Sequence, residues 1–294
     1  MASPMPVVSS TLGARINVAT RKQHTELNRL LIQRLPLALP PNQNNPLLYS
    51  QGIVPFAKIF FFFETEWDLF IRHIQQPAQI TESHDGQKRT WPANLRPQGL
   101  ARSTRLQDDL KHLRAVAGPD VYNTVALGDV WMRDLRKRIR DQPHVLIAFA
   151  WVFYMAVFSG GRWIRSQLSK SGTDFWTSGT LDLQPGKGEK AARIDVPGYT
   201  FLSFDGDQDG EDSKAAFKAR LAEAEVILSE EEQADIVEVA QELFARCNDL
   251  VRELDRKVMW DRMLGQMPHA FGVLLVLVVI AAWRIWSYSH DSAL

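Results

Sequence analysis

The chain has 294 residues, enough to bury a substantial core, and its 34 acidic and 34 basic side chains cancel to a formal charge of zero. That balance, with no basic tract carrying interleaved aromatics, points away from a nucleic-acid partner. A single cysteine, Cys247, excludes an internal disulfide and a cysteine-based zinc cluster.

Residues 1–10 lack the basic start and long apolar run of a signal peptide and are expected to be disordered. Residues 10–35 then carry Leu12, Ile16, Leu27, Leu30, Leu31 and Leu35 at helical spacing, and Pro36, Pro40 and Pro41 end that helix. A second helix is expected over 54–74, through the run Ile59 to Phe63. Residues 77–99, with Pro77, Gly86, Pro92, Pro97 and Gly99, read as a surface loop. Further helices are expected at 101–116, 119–140 and 143–170, followed by a second loop at 171–197. Another helix begins near Ser213. Ser229 with Glu232 forms a capping box that opens a long helix keeping Ile236, Val239, Ala240, Leu243, Leu250, Leu254 and Val258 on one side. On that helix the spacing sets Cys247 beside Leu243, Leu250 and Val251, as a core thiol. No alternating strand pairs and no glycine-rich phosphate loop occur. The expected class is all-α.

The C-terminal region is uncharged from Ala270 to Trp283. A spanning helix needs about 20 residues, and Pro268 to Tyr288 reaches that length if Arg284 snorkels to the far interface, where Trp283, Trp286 and Tyr288 suit an aromatic belt. The expected organisation is therefore a helical domain over 11–260, a linker at 261–267 and a single transmembrane tail anchor at 268–288 with the domain in the cytosol.

Two segments carry chemistry. In Ala19-Thr-Arg-Lys-Gln-His24-Thr25, His24 lies on the helical face of Ile16, Thr20, Leu27 and Leu31. It reads either as a satisfied core histidine or as an imidazole offering one nitrogen to a metal. In Phe149 to Ile164, the consecutive Gly160 and Gly161 each cost about 1 kcal/mol relative to alanine inside a helix. Either another helix packs closely there, or a flat ligand approaches the low-relief patch of Ala156, Ser159 and Gly160, with Phe153 and Trp163 one turn to either side.

Together the segments resemble the heme oxygenase family, whose N-terminal helix carries A-T-x-x-x-H-T and whose distal helix ends in S-G-G, here Ala19 to Thr25 and Ser159-Gly160-Gly161. Gly198-Tyr-Thr-Phe-Leu-Ser-Phe204, followed by Lys214, Lys218 and Arg220, is similar to a third family segment, and many members end in a membrane anchor. The resemblance spans most of 10–260, with 77–99 and 171–197 as insertions. It implies a heme oxygenase-like multi-helical domain plus one C-terminal transmembrane helix. Heme would be both substrate and cofactor, with His24 as iron ligand and Gly160 and Gly161 letting the distal backbone come close. Arg21, Lys214 and Lys218 would be propionate partners, a solvated basic face being the other reading of these cations. Tyr154 matches a distal-helix tyrosine, with a packing role open to it equally.

The sequence departs from the family at Ala156 and Val157, where members with S-G-G usually carry G-D. In the family that aspartate holds a water network, and valine can neither donate nor accept a hydrogen bond. The implied activity is cleavage of heme to biliverdin, carbon monoxide and iron, with electrons from a membrane-bound reductase at the endoplasmic reticulum. Val157 sets against it a heme sensor or carrier on the same scaffold. A membrane-tethered helical adaptor without heme is the third possibility.

Overall fold

The computed structural model describes residues 11–74, 91, 94–177 and 196–291, with side chains through residue 264. The expectation of disorder at 1–10 lies outside the described residues. The described residues are helical throughout, as the sequence pattern requires, and fall into two compact units, Met1–Val251 and Arg252–Leu294.

In the first unit, α1 (Leu12–Arg34) begins at Thr11, whose side chain accepts from Ala14 N. Helix α2 (Leu47–Ile74) starts seven residues before the expected position and carries Pro55 inside it. Proline removes the N–H that would bond the carbonyl four residues back. That carbonyl, Gln51 O, instead accepts a 2.6 Å bond from Thr124 Oγ1, so the helix passes through Pro55 with its polar groups satisfied. The phenylalanine run of α2 supplies the centre of the core: Phe63 stacks on Phe149, and Phe60 meets Phe153 edge-on at 5.1 Å.

The helix expected at 119–140 is broken. Helix α3 (Ser103–Ala117) ends at Gly118, and α4 (Asp129–Asp141) starts after Gly128, both glycines at φ 86°. A left-handed backbone ends a helix at no cost to glycine. The helix Pro143–Ser169, α5, departs from regular geometry in the middle. Ala150–Tyr154 and Ala156–Gly160 are π-helical turns, joined through Met155 and followed by regular helix Gly161–Ser169.

Both expected loops are only partly described. The visible end of the first is not a surface loop: Trp91 and Leu95 are buried, and Trp91 packs edge-on against Trp67. The start of the second forms a short helix, α6 (Thr173–Thr177), because Phe175 and Trp176 have core to fill; Trp176 Nε1 donates to Leu168 O. Helix α7 (Glu211–Ile227) opens with acidic Glu211 and Asp212, which suit the positive end of its dipole.

Helix α8 (Glu230–Asp291) starts with the expected capping box: Ser229 N donates to Glu232 Oε2 at 2.8 Å and Glu232 N to Ser229 Oγ at 3.2 Å. Cys247 sits on it as core. Burial pushes its thiol up to about 12, so almost no thiolate exists near neutrality. A thiol-directed alkylating reagent will leave Cys247 unlabelled in the native chain and label it fully in denaturant, read by intact mass. Labelling without denaturant would mean that α8 opens locally.

In the second unit the helix continues through residues 261–267, where a linker was expected, and through 268–288. Lys257 and Asp261 pair one turn apart at 2.6 Å. The side chains of the expected anchor lie outside the described residues. Two other helices, Leu47–Ile74 and Pro143–Ser169, are long and apolar enough to cross a membrane, but both are largely buried in the core of the first unit.

Candidate functional site

The site is built from α1, α5 and α7. Helix α1 is held along one side by α8. Gln241 Nε2 donates to Ala19 O at 3.0 Å, and Asn248 Nδ2 donates to Gln23 O at 3.1 Å. Its first turn is fixed by Glu225 Oε1, which accepts from Leu12 N, and by Arg15, which reaches Glu230 and Gln233. Helix α5 meets α1 at this same end. Trp151 Nε1 donates to Asn17 Oδ1 at 3.1 Å, and the indole ring lies over Gly13, where a β-carbon would sit 2.4 Å from Trp151 Cη2. Only glycine permits that approach.

Beyond this crossing the facing surfaces of both helices are exposed. On α1, Ile16 and Thr20 are buried, but His24 is exposed and Leu27 and Leu31 are half-buried. His24 stands seven residues past Asn17, about 10 Å along the axis. Exposure rules out the reading of His24 as a satisfied core histidine. Its ring is steadied edge-on against Phe244 at 5.5 Å, and Nε2 has only a long 3.4 Å contact with the Asn28 amide. The imidazole is thus oriented on one side, with a nitrogen available to a metal.

On α5 the exposed positions are Ala156, Ser159, Gly160 and Trp163, which recur at helical spacing as one face. The two glycines divide the readings offered by the sequence. A β-carbon added at Gly160 would meet nothing within 4 Å, so this glycine fronts open space. At Gly161 it would lie 3.3 Å from Leu202 Cδ2, so this one permits close packing. The bend comes from the two π turns, a device that recurs at functional sites. We expect Gly160→Ala to stabilise the ligand-free protein by about 0.5–1 kcal/mol, since the helical backbone accepts alanine without a clash. Gly161→Ala should be about 1 kcal/mol worse than Gly160→Ala, because Leu202 must yield. Denaturant unfolding of the two variants checks this; equal gains at both positions would refute the assignment.

Tyr154 is a correction. It is fully buried, with its hydroxyl donating to Glu64 Oε1 at 3.0 Å and its ring against Phe63 and Phe217. Burial, and then the Glu64 charge, hold its phenol well above the usual range. It belongs to the core and offers nothing to the exposed face. Glu64 itself is 3 % exposed and caps α3, accepting from Arg102 N at 2.7 Å and Ser103 N at 2.9 Å. Val157 is buried too, packed under Gly161, and Phe153 is enclosed by Phe60 and Phe149. The wall behind the open face is aromatic and aliphatic.

Phe217 of α7 packs against Trp151, Tyr154 and Phe158 of α5, which brings the cations of α7 beside this helix. Lys214 Nζ lies 3.5 Å from Glu211 Oε1. Lys218 is exposed, as is Arg21 on α1, and neither has an ion-pair partner among the described residues. Sequence reasoning missed Arg162, which also reaches Glu211 and so stands beside Lys214. Its place directly after Gly161 was visible, but nothing in the sequence linked it to α7.

A family model described as heme oxygenase matches residues 56–253. The chain belongs to the heme oxygenase family. The match begins after α1, so the case for His24 stands on the sequence and geometry of α1. Among curated proteins, the chain is similar to the heme-binding protein HMX1 of Saccharomyces cerevisiae, at 26 % identity over 176 residues. That alignment covers 56 % of this chain and 52 % of the relative, so it spans about half the relative's length. The fold is that of heme oxygenase 2 from Chlamydomonas reinhardtii, solved without heme (TM-score 0.65, 18 % identity, covering 83 % of this chain and 98 % of that one). It is also that of heme oxygenase-1 from the cyanobacterium Synechocystis in complex with heme (TM-score 0.57, 18 % identity, 89 % and 99 % covered). At these identities the structural likeness establishes the fold.

Proposed function

We propose that this protein binds heme between α1 and α5 and cleaves it oxidatively to biliverdin, carbon monoxide and iron. The observation that carries the reading is an exposed, oriented imidazole on α1 combined with a small-residue face on α5 that opens at Gly160. The residues fit the group. His24 would supply the axial nitrogen, Ala156, Ser159 and Gly160 would admit a flat ring, and Arg21, Lys214 and Lys218 would receive its carboxylates. Heme, when bound, supplies the iron at which dioxygen is reduced. The protein's own part is to hold the ring, shield one face and fix the iron ligand. Pro268–Tyr288 would tether the domain to the endoplasmic reticulum membrane, facing the cytosol beside a membrane-bound reductase.

One observation favours a second reading, a heme sensor or carrier. Val157, Phe153 and Phe60 line the back of α5 with side chains that neither donate nor accept hydrogen bonds, so they cannot order water for proton delivery. The test is to incubate the full-length chain in detergent micelles with hemin, reductase and oxygen and record visible spectra. A His24-dependent Soret band that decays to a biliverdin absorbance supports the oxygenase. A band that persists through repeated reduction supports the carrier, and no His24-dependent band leaves a helical adaptor.

A further inference from the structure

Resting on that reading, we infer that Arg162 is a ligand-binding residue that receives a carboxylate at the ring's edge and is held ready by Glu211. Arg162 follows Phe158 by four residues and Ser159 by three. Phe158 packs against Phe217 of α7, whereas Ser159 belongs to the exposed face. Arg162 therefore stands on the border where a plate lying on that face would meet α7. Its Nη2 donates to Glu211 Oε1, the same oxygen that lies 3.5 Å from Lys214 Nζ, so guanidinium and ammonium converge on one carboxylate.

The rest of the guanidinium is underused. Nε is buried without a hydrogen bond, its nearest carboxylate oxygen, Asp209 Oδ2, lying 3.7 Å away. An arginine offers five donors, and a buried donor left unmade is costly. The neighbouring Arg165 shows the contrast. It is committed to Leu202 O at 3.0 Å and Asp209 Oδ2 at 2.5 Å, and its side chain is 17 % exposed against 38 % for Arg162. Arg165 fixes the loop before α7, while Arg162 keeps a free side toward the open face. A planar dianion with two carboxylates suits the fork of Arg162 and the point charge of Lys214. Glu211 occupies that position while no ligand is bound and competes with it.

The test titrates the full-length chain in detergent micelles with hemin and, in parallel, with its dimethyl ester, following the His24-dependent Soret band. Arg162→Ala should weaken hemin binding about five-fold to ten-fold and leave the ester unchanged. Arg162→Lys should recover only part of that loss. Glu211→Gln should tighten hemin binding about three-fold, with no effect on the ester. Equal loss for hemin and ester, no change for Arg162→Ala, or weaker hemin binding by Glu211→Gln would each overturn the inference while heme binding stood. A wild-type chain with no His24-dependent band would bring down the heme reading itself, and this inference with it.

Discussion

His24→Ala should abolish tight heme binding, weakening it by at least about 100-fold, the upper end of what even outer-shell changes cost a metal site. The ring makes no buried hydrogen bond that holds the fold; it leans on Phe244 and touches Asn28 at 3.4 Å. Stability should therefore change by less than about 0.5 kcal/mol, as for an exposed site. The loss is chemical rather than structural. Since His24 is exposed, millimolar imidazole should reach the vacated position and restore a Soret band in the variant. Loss of binding together with a lowered melting temperature would point to a structural role. Unchanged binding would remove His24 as the ligand.

Glu64→Ala should be the most destabilising single change, costing about 3–5 kcal/mol, the range for removing one member of a buried charged pair. Three donors lose their acceptor at once: the N–H groups of Arg102 and Ser103 and the Tyr154 hydroxyl. Arg102, 1 % exposed, also loses its balancing charge. Burial, with Arg105 adding to it, already draws that guanidinium down to about 10, against the pull of Glu64. It is otherwise held only by neutral carbonyls, Leu100 O and Ser203 O among them. Glu64→Gln keeps one acceptor oxygen and should cost less, and Tyr154→Phe should cost about 1 kcal/mol as a single lost bond. Chemical denaturation of the three variants gives the order. If Glu64→Ala cost no more than Tyr154→Phe, the carboxylate would not be the hub of these contacts.

The regular parts of the fold were legible in the sequence because periodicity reports which face is buried. The bounds of α1, the capping box at Ser229 and the apolar side of α8 follow from residue spacing alone. What the sequence hid were contacts between distant residues. The passage of α2 through Pro55 depends on Thr124, and the burial of Tyr154 depends on Glu64, ninety positions away. The break after Ala117 was missed because the reading weighed the apolar pattern of 119–140 above Gly118, Pro119 and Gly128. At the site, His24 and the glycine pair were visible as motifs. Their division of labour was not, since Gly160 and Gly161 are alike until Leu202 is placed beside one of them. Arg162 escaped for the same reason.

The π turns of α5 carry a consequence for how this gene can change. Each π turn amounts to one residue more than a regular helix would hold. Deleting a single residue between Ala150 and Ser159 would let the helix relax to ordinary geometry, a change its backbone should tolerate. Everything C-terminal would then turn by about 100° relative to what precedes it, carrying Gly160 and Trp163 off their common face and Arg162 off its border. Variation in this stretch is therefore constrained in length as well as in letter: substitutions can be absorbed one by one, whereas a one-codon gap would leave a folded protein with its site facing the wrong way.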